Sequence, residues 1–225
     1  MREDSNLTTR QKELMSSKNN ILAIDTATAE TVIGLNDTVI SWLSNRSQSK
    51  ELLPAIDKLI RAQKLTPQKL RGVVVNQGPG SFTGLRVGLT VANGFGYGLN
   101  IPVVGISEFG MIRRFYPKVD LIILDAKRGE LFIQYDKQTP KMIPVAKLGG
   151  MIKRGMSIYL EAGLAVGLHP QLKRAGTIYL ADIPRVEKLA VVLAGIKLPK
   201  KFTPVMPVYL RGANITKSSR RANPR

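Results

Sequence analysis

The 225-residue sequence predicts an α/β fold in which mixed sheets are flanked by helices. Apolar runs of strand length alternate with segments of helical periodicity, which is the pattern of a layered α/β architecture. Each half of the chain also opens with a strand, a carboxylate and a hairpin. This repetition indicates an internal duplication, so we expect two related halves.

The first half predicts the element order β-β-β-α-β-α-β. ILAID at 21–25 is an apolar run that ends in a carboxylate, and two β-rich runs follow it around Asn36-Asp37, a pair that favours a hairpin turn. A helix with apolar residues at helical spacing covers 50–63. Gly78-Pro79-Gly80 then ends another apolar strand, and a glycine-rich helix and the strand IPVVGI follow.

The second half repeats this theme more loosely. LIILDA and ELFIQYD predict a hairpin around Lys127-Arg128-Gly129, SIYLE and TIYLA predict strands, and a helix is expected from Pro184 to Leu193. The patterns predict four units: a flexible N-terminal extension (1–19), a first lobe (20–106), a second lobe (107–213) and a disordered basic tail (214–225).

Composition excludes several classes of site and location. The chain has no cysteine, so it forms no disulfide, and its one histidine, His169, leaves little for a histidine-based metal site. No apolar run reaches the roughly 18 residues of a membrane helix, and residues 1–20 lack the apolar segment of a secretory signal. The sequence therefore predicts a cytoplasmic protein without a membrane partner.

The net charge of +18 is the compositional outlier. A chain this basic attracts polyanions at low salt. Eight Lys and Arg residues and no acidic residue lie between Lys197 and Arg225. Two interpretations stay open: a surface for phosphate groups, or a solvated tail in a generally basic protein.

Two short motifs suit a phosphate-facing loop. Asp25 and Thr26 lie at the end of the first strand, where the hydroxyl could donate to a phosphate and the carboxylate could reach a hydrated metal; a capping or turn role is the favoured alternative. Gly78, Gly80 and Ser81 lie between a strand and a helix, the geometry that binds anions at a helix N-terminus. The alternative is a tight turn in which Ser81 caps the helix, since no Walker A pattern follows.

The next helix carries five glycines up to Gly98, and each costs a helix interior roughly 1 kcal/mol relative to alanine. Four small residues recur at every fourth position and form a narrow stripe nearly free of side chains: Gly84, Gly88, Ala92 and Gly96. The packing that recovers the cost is either internal, against the helix at 50–63, or made with another chain.

No catalytic constellation emerges, so we expect neither a catalytic residue nor a metal site. The sequence lacks the H-x-x-x-H, H-E-x-x-H and G-x-S-x-G patterns. Asp125 and Glu130 flank Lys127-Arg128 in a predicted hairpin, where a structural salt bridge is the expected role.

Five segments occur in one order along the chain: ILAIDTAT, SQSKELLPAIDKLI, NQGPGSFTGLRVGLTVANGFGYGLNIPVVGIS, LDAKRGELF and PVYLRGA. Together they resemble the TsaB (YeaZ) family, bacterial subunits of the machinery that makes threonylcarbamoyladenosine beside the tRNA anticodon. The resemblance covers about residues 20–213, and GPGSFTGLRVG is its most specific motif.

The resemblance implies a two-lobed actin-like ATPase (ribonuclease H-like) fold of the Hsp70 and sugar-kinase superfamily. It implies a non-catalytic subunit that pairs with a catalytic TsaD-type paralogue, works with a TsaE-type ATPase, and supports threonylcarbamoyl transfer to the adenosine adjacent to the anticodon. The complex then brings the chain to tRNA, and ATP or ADP is expected only at an interface within that complex. A homodimer of the isolated chain is the other pairing to expect.

Pairing through the two helices of the first lobe follows from the same resemblance. Ten residues form the candidate partner interface: Leu52, Leu53, Ile56, Ile60, Gly84, Leu85, Gly88, Ala92, Phe95 and Gly96. The charge of the tail adds four candidate contacts to tRNA phosphates: Lys217, Arg220, Arg221 and Arg225.

Two segments depart from the family pattern. The first helix usually opens with His-Ser-Glu but here reads QSKE, and the glycine–acid–glycine turn of the second lobe reads LEAG at 160–163, which argues against nucleotide binding by this chain. The alternative function is a stand-alone ATP-dependent kinase-like enzyme or a glycoprotease-like peptidase, which would need a metal site or base beyond Asp25 and Asp125. A general RNA-binding protein is the weaker third option, because interleaved aromatics and recognition modules are missing.

Overall fold

The computed structural model of the protein describes residues 19–44, 47–136, 138–180 and 183–210. Two five-stranded mixed sheets, each flanked by helices, dominate these ranges and confirm the predicted fold class. None of the helices described there is long and apolar enough to cross a bilayer.

The first sheet has the strand order β3-β2-β1-β4-β5. Its strands are β1 (Ile21–Asp25), β2 (Glu30–Leu35), β3 (Thr38–Leu43), β4 (Gly72–Gly78) and β5 (Val103–Ser107). β1 is antiparallel to β2 and parallel to β4, so that Ala23 lies opposite Gly34 on one side and Val74 on the other. The predicted hairpin turn is confirmed, with Asn36 in the left-handed region at φ +55°.

The second sheet repeats the topology of the first. Its strands are β6 (Leu121–Asp125), β7 (Glu130–Tyr135), β8 (Lys141–Pro144), β9 (Ser157–Leu160) and β10 (Thr177–Leu180). Read from β8, the order is β8-β7-β6-β9-β10, with two antiparallel pairs on one side of β6 and parallel pairs on the other. This equivalence confirms the internal duplication, and it pairs Asp25 at the end of β1 with Asp125 at the end of β6.

Helices cover the first sheet on both faces. The described helices are α1 (Gln48–Ala62), α2 (Phe82–Leu99), α3 (Glu108–Phe115), α4 (Ala165–Leu168) and α5 (Arg185–Gly195). α1 and α2 bury their apolar sides against one face, and α5 packs on β1, β2 and β3 from the other. α3 contributes side chains to the cores of both halves. Met111 lies in a core of the first sheet, and Phe109 lies in the core that contains Tyr159 of the second sheet.

The C-terminal part of the described chain returns to the first sheet. Leu189, Val192 and Leu193 of α5 lie in the same core as Ile21 and Val32. This packing differs from the expectation that all of 107–213 belongs to the second lobe. It follows from the apolar outer face of the first sheet, which needs a helix that the first half of the chain does not supply.

Residues 196–210 form a strap along α2 and β5 without regular secondary structure. The Asn93 side chain donates to the Val205 carbonyl oxygen (3.0 Å) and accepts from the Val205 N–H (2.9 Å). The Val208 N–H donates to the Gln77 carbonyl oxygen at 2.8 Å. These bonds bring the strap to the edge of the space between the two sheets.

Candidate functional site

The candidate site is a cleft of about 940 Å³ between the two halves. Its walls come from the loops after β1, β4 and β6, from the start of α5, and from the end of the strap. The carboxyl ends of β1 and β6 both point toward it, because the duplicated topology places equivalent strand ends face to face. A ligand of nucleotide size fits this volume.

Asp25 lies beneath the cleft, fully buried, at the end of β1. Its Oδ1 accepts a hydrogen bond from the Ala27 N–H at 2.9 Å, which is a turn role. Its Oδ2 accepts from Arg185 Nη1 at 2.6 Å. Both carboxylate oxygens are therefore engaged within the chain.

Three further side chains extend this ion pair into a buried network. Glu108, the first residue of α3, accepts from Lys188 Nζ at 2.5 Å on Oε1. Its Oε2 lies 3.5 Å from Arg185 Nη1 and 3.2 Å from Asn76 Nδ2. Two carboxylates and two cations thus balance in a place where a lone charge would be costly.

The network controls the ionisation of its members. Burial alone would lower the pKa of Arg185, but the nearby Asp25 and Glu108 carboxylates outweigh it and raise the pKa above its ordinary value. Burial alone would raise the pKa of Glu108, but the attraction of Arg185 and Lys188 and the hydrogen bonds from Lys188 and Asn76 lower it below its ordinary value. Arg185 and Glu108 are accordingly both charged at neutral pH.

Acid is expected to destabilise the protein through Glu108. Because its pKa in the folded chain is below that in the unfolded chain, the unfolded chain binds the proton first, and the stabilisation is lost as the pH falls below about 4.3. Glu108→Gln should flatten the dependence of the free energy of unfolding on pH in this range, as measured by urea unfolding at several pH values. Parallel curves for the two proteins would contradict this role.

The loop between β4 and α2 adopts the capping alternative. Ser81 Oγ accepts from the Gly84 N–H at 3.3 Å as the N-cap of α2. The Ser81 N–H donates to the Ala27 carbonyl oxygen at 2.7 Å. Gly78 has φ +105°, and a Cβ on Gly80 would lie 2.5 Å from that same Ala27 oxygen, so both glycines are needed for the close turn.

The candidate phosphate-facing residues fall into two groups. Gly80 and Ser81 are exposed and line the cleft. Asp25, Thr26 and Gly78 are buried below it, and Thr26 Oγ1 donates to the Gly84 carbonyl oxygen at 2.7 Å. Only the first two are placed to face a ligand in the cleft.

The small-residue stripe of α2 packs inside the chain. A Cβ on Gly84 or Gly88 would come closer than 3.0 Å to Thr26, and one on Gly96 would come equally close to Val103 and Phe202. The stripe thus takes the internal one of the two alternatives, and its partners are the end of β1, the strand β5 and the strap, with Gln48 at the start of α1 beside Gly84. The cost of these glycines is recovered by close approach within the monomer.

This packing places most of the predicted partner interface inside the chain. Eight of the ten candidate residues are buried in the chain: Leu52, Ile56, Ile60, Gly84, Leu85, Gly88, Ala92 and Gly96. Leu53 is 52% exposed and Phe95 is half-buried. Of the ten, these two have side chains at the surface, and the pairing itself stays a prediction.

Asp125, the equivalent of Asp25, makes the predicted salt bridge. Its Oδ2 lies 2.6 Å from Lys127 Nζ, and its Oδ1 accepts from the Lys127 N–H at 2.6 Å. Although burial raises the pKa of Asp125, the hydrogen bonds from Lys127 hold it below its ordinary value. The Asp125 N–H donates to Glu161 Oε2 at 2.8 Å, so the LEAG segment contributes a carboxylate to the cleft wall.

Two further predictions concern a metal site and the contacts to tRNA. In the described ranges no three His, Asp or Glu residues cluster in a way that could hold a metal ion. The candidate tRNA contacts Lys217, Arg220, Arg221 and Arg225 lie outside the described residues.

Sequence analysis missed Glu108, Arg185 and Lys188. The available signal was the start of α5, where Arg185 and Lys188 lie one turn apart, at helical spacing with the apolar Leu189. Buried basic residues are almost always paired, so this pattern indicates carboxylate partners. It does not indicate which carboxylates, because Arg185 is 160 residues from Asp25.

A family model described as TsaD, tRNA N6-adenosine threonylcarbamoyltransferase, matches residues 26–147. The tRNA threonylcarbamoyladenosine biosynthesis protein TsaB of Escherichia coli strain K12 is 31% identical over 217 residues, which cover 85% of this chain and 94% of that protein. The TsaB protein of Bacillus subtilis strain 168 is 34% identical over 120 residues, about half of each chain (50% and 52%).

A solved structure shares the fold. The crystal structure of an uncharacterized protein with similarity to peptidase YEAZ from Pseudomonas aeruginosa aligns with a TM-score of 0.61. The alignment covers 85% of this chain and 99% of that chain at 19% sequence identity. The two-lobed arrangement of sheets is therefore that of YeaZ-like proteins.

Proposed function

The chain belongs to the TsaB family of tRNA threonylcarbamoyladenosine biosynthesis proteins, and we propose that it is a non-catalytic subunit of the complex that makes this nucleoside. Its task in this proposal is to bind and support a TsaD-type paralogue, which transfers the threonylcarbamoyl group to the adenosine adjacent to the anticodon. A TsaE-type ATPase and tRNA complete the assembly, which works in the cytoplasm.

The ion pair between Arg185 and Asp25 is the observation that carries the non-catalytic part of the proposal. A carboxylate at the end of the first strand is suited to hold a hydrated metal beside a phosphate. Here the Arg185 guanidinium is bonded to Asp25 at 2.6 Å, and the other carboxylate oxygen is held by the Ala27 N–H. At this position Arg185 contributes a permanent positive charge and stability, and it takes no part in a reaction.

Nucleotide binding is assigned to the assembled complex rather than to this chain alone. Of the five candidate phosphate-facing residues, Gly80 and Ser81 alone line the cleft, and the Ser81 N–H is already bonded to Ala27. ATP or ADP would accordingly be held at an interface that a second protein completes.

The outer faces of α1 and α2 are the proposed pairing surface. The two helices pack side by side, and Leu53 and Tyr97 are 52% and 81% exposed on them. A Cβ on Gly94 or Gly98 would meet no atom within 4 Å, so these exposed glycines recover no packing energy within the monomer. A partner helix would cover both the apolar side chains and the bare backbone between them. A homodimer of the isolated chain could use the same surface.

Leu53→Asp combined with Tyr97→Asp is expected to weaken binding to the TsaD-type paralogue at least tenfold. A charge buried without a partner in an apolar interface costs more than the roughly 1.4 kcal/mol that a tenfold change requires. Leu43→Asp, at a side chain 71% exposed on β3, is the matched control and should bind as the unaltered protein does. Equal binding by all three proteins in a titration would show that the partner uses another surface.

The function itself is tested by reconstitution. Threonylcarbamoyl transfer to unmodified tRNA is measured with the paralogue, the ATPase and an activated threonylcarbamoyl donor, with and without this chain. We expect transfer to require the chain. Transfer of equal rate without it, or turnover by the purified chain alone that Asp25→Ala abolishes, would overturn the proposal.

A further inference from the structure

Two turns of the second half form a shallow basic basin on the surface. The turns are 152–156, which precedes β9, and 172–176, which precedes β10. They line a concavity of about 750 Å³ that contains four basic residues: Lys153, Arg154, Lys173 and Arg174. We call this feature the basic basin.

The two turns are fixed to one another by their backbones. The Gly155 N–H donates to the Arg174 carbonyl oxygen (3.1 Å), and the Gly176 N–H donates to the Met156 carbonyl oxygen (2.9 Å). Gly155 has φ +81°, and a Cβ on Gly176 would lie 2.7 Å from the Gly155 oxygen. Glycine at both positions permits this approach, which holds the four basic residues around one concavity.

The charge of the basic basin is not neutralised by neighbouring carboxylates. All four side chains belong to exposed residues, and the ion pairs found across the described ranges involve other residues. A carboxylate near the basin, that of Asp120, is occupied by hydrogen bonds, because its Oδ2 accepts from the Ser157 N–H (2.7 Å) and Oγ (2.8 Å). Four cations that form none of the ion pairs found among the described residues leave a strongly positive surface.

We propose that the basic basin binds the phosphate backbone of RNA. Two guanidinium and two ammonium groups around one concavity can each contact a phosphate oxygen, and contacts of this kind position a nucleic acid without reading its bases. The choice of RNA among polyanions rests on the proposed function in tRNA modification. The basin is formed by residues of the segments 150–155 and 173–176 and is separate from the cleft between the two halves.

The apolar content of the basin argues against an anionic membrane as the alternative partner. Peripheral membrane sites combine basic residues with apolar side chains that insert among the lipids. Two apolar side chains line the basin: Ile152, which is 3% exposed, and the smaller Ala175. A surface that offers charge and backbone alone suits a solvated polyanion such as RNA.

The test compares two fourfold variants of the full-length chain in binding to an unmodified tRNA transcript at several salt concentrations. The basin variant is Lys153→Gln, Arg154→Gln, Lys173→Gln and Arg174→Gln. The control removes the same charge from exposed residues of the first half: Lys50→Gln, Lys58→Gln, Lys64→Gln and Lys69→Gln. If all four basin residues contact phosphates, the slope of log K against log salt should become shallower by about 3, at roughly 0.7–0.9 per contact. The control should keep the original slope.

Equal slopes for the basin variant and the unaltered chain, or equal losses in both variants, would overturn the proposal. So would a basin variant that loses binding to phosphatidylserine vesicles while its tRNA binding is unchanged. Thermal unfolding of each variant distinguishes lost contacts from a lost fold. The threonylcarbamoyl transfer assay separates the two proposals. If transfer requires the chain but the basin variant binds tRNA normally, only the proposal for the basin is refuted. If transfer does not require the chain but the basin variant loses tRNA binding, only the proposed function is refuted.

Discussion

Replacing Gly84 by alanine is expected to lower the free energy of unfolding by about 3 kcal/mol or more. The new Cβ would come closer than 3.0 Å to the carbonyl oxygen of Thr26, which is backbone and cannot rotate away. Insertion of a methyl group into a packed core typically costs 1–3 kcal/mol, and a clash with rigid backbone belongs at the upper end or beyond. Urea unfolding followed by circular dichroism measures the change.

Gly94→Ala is the matched control on the same helix. A Cβ there meets no atom within 4 Å, so the alanine should instead stabilise the protein by up to about 1 kcal/mol through its higher helix propensity. Opposite signs for the two variants would establish that the glycines of α2 serve two purposes. If Gly84→Ala behaves as Gly94→Ala does, the close approach of α2 to the end of β1 is wrong.

The glycine stripe shows what helical periodicity can and cannot predict. The repeat at every fourth residue correctly predicts a bare face on α2, because side-chain direction follows from helix geometry alone. It contains no information about what covers that face. The bare face is covered by Thr26, which is hydrogen-bonded to Gly84 although the two residues are 58 positions apart. Phe202 of the strap, near the other end of the chain, covers it as well. Neither belongs to an element adjacent to α2 in the sequence, whereas Val103, which also covers Gly96, belongs to the next strand, β5.

The parts of the fold that the sequence predicts correctly depend mostly on local signals. The hairpin at Asn36-Asp37 and the capped turn at Ser81 depend on residues next to one another, and both are found in the structure. β8 was not predicted because it is a short edge strand of four residues, Lys141–Pro144, that begins with a lysine and ends with a proline. The packing of α5 on the first sheet was not predicted because its apolar side fits either sheet.

Arg185→Met is expected to cost about 3–5 kcal/mol of folding free energy. The change keeps a long side chain but leaves the fully buried Asp25 carboxylate without its cation, and removing one partner of a buried pair typically costs this much. Lys127→Met breaks the salt bridge to Asp125. Because the Lys127 side chain is 79% exposed, this change should cost about 0–1 kcal/mol. Chemical unfolding of both variants measures the difference.

A second substitution shows whether the cost of Arg185→Met comes from the stranded carboxylate. Asp25→Asn removes the charge but keeps an Oδ1 that can accept from the Ala27 N–H, so adding it to Arg185→Met should recover part of the lost free energy. The coupling in this double-mutant cycle should exceed roughly 1 kcal/mol, because the two groups are in direct contact. Glu108 keeps Lys188 as a partner in every arm, so the cycle isolates one pair of the network. Additive costs would mean that Arg185 stabilises the fold by packing and by its contact with Glu108, and its ion pair with Asp25 would then have no part in holding α5 to the end of β1.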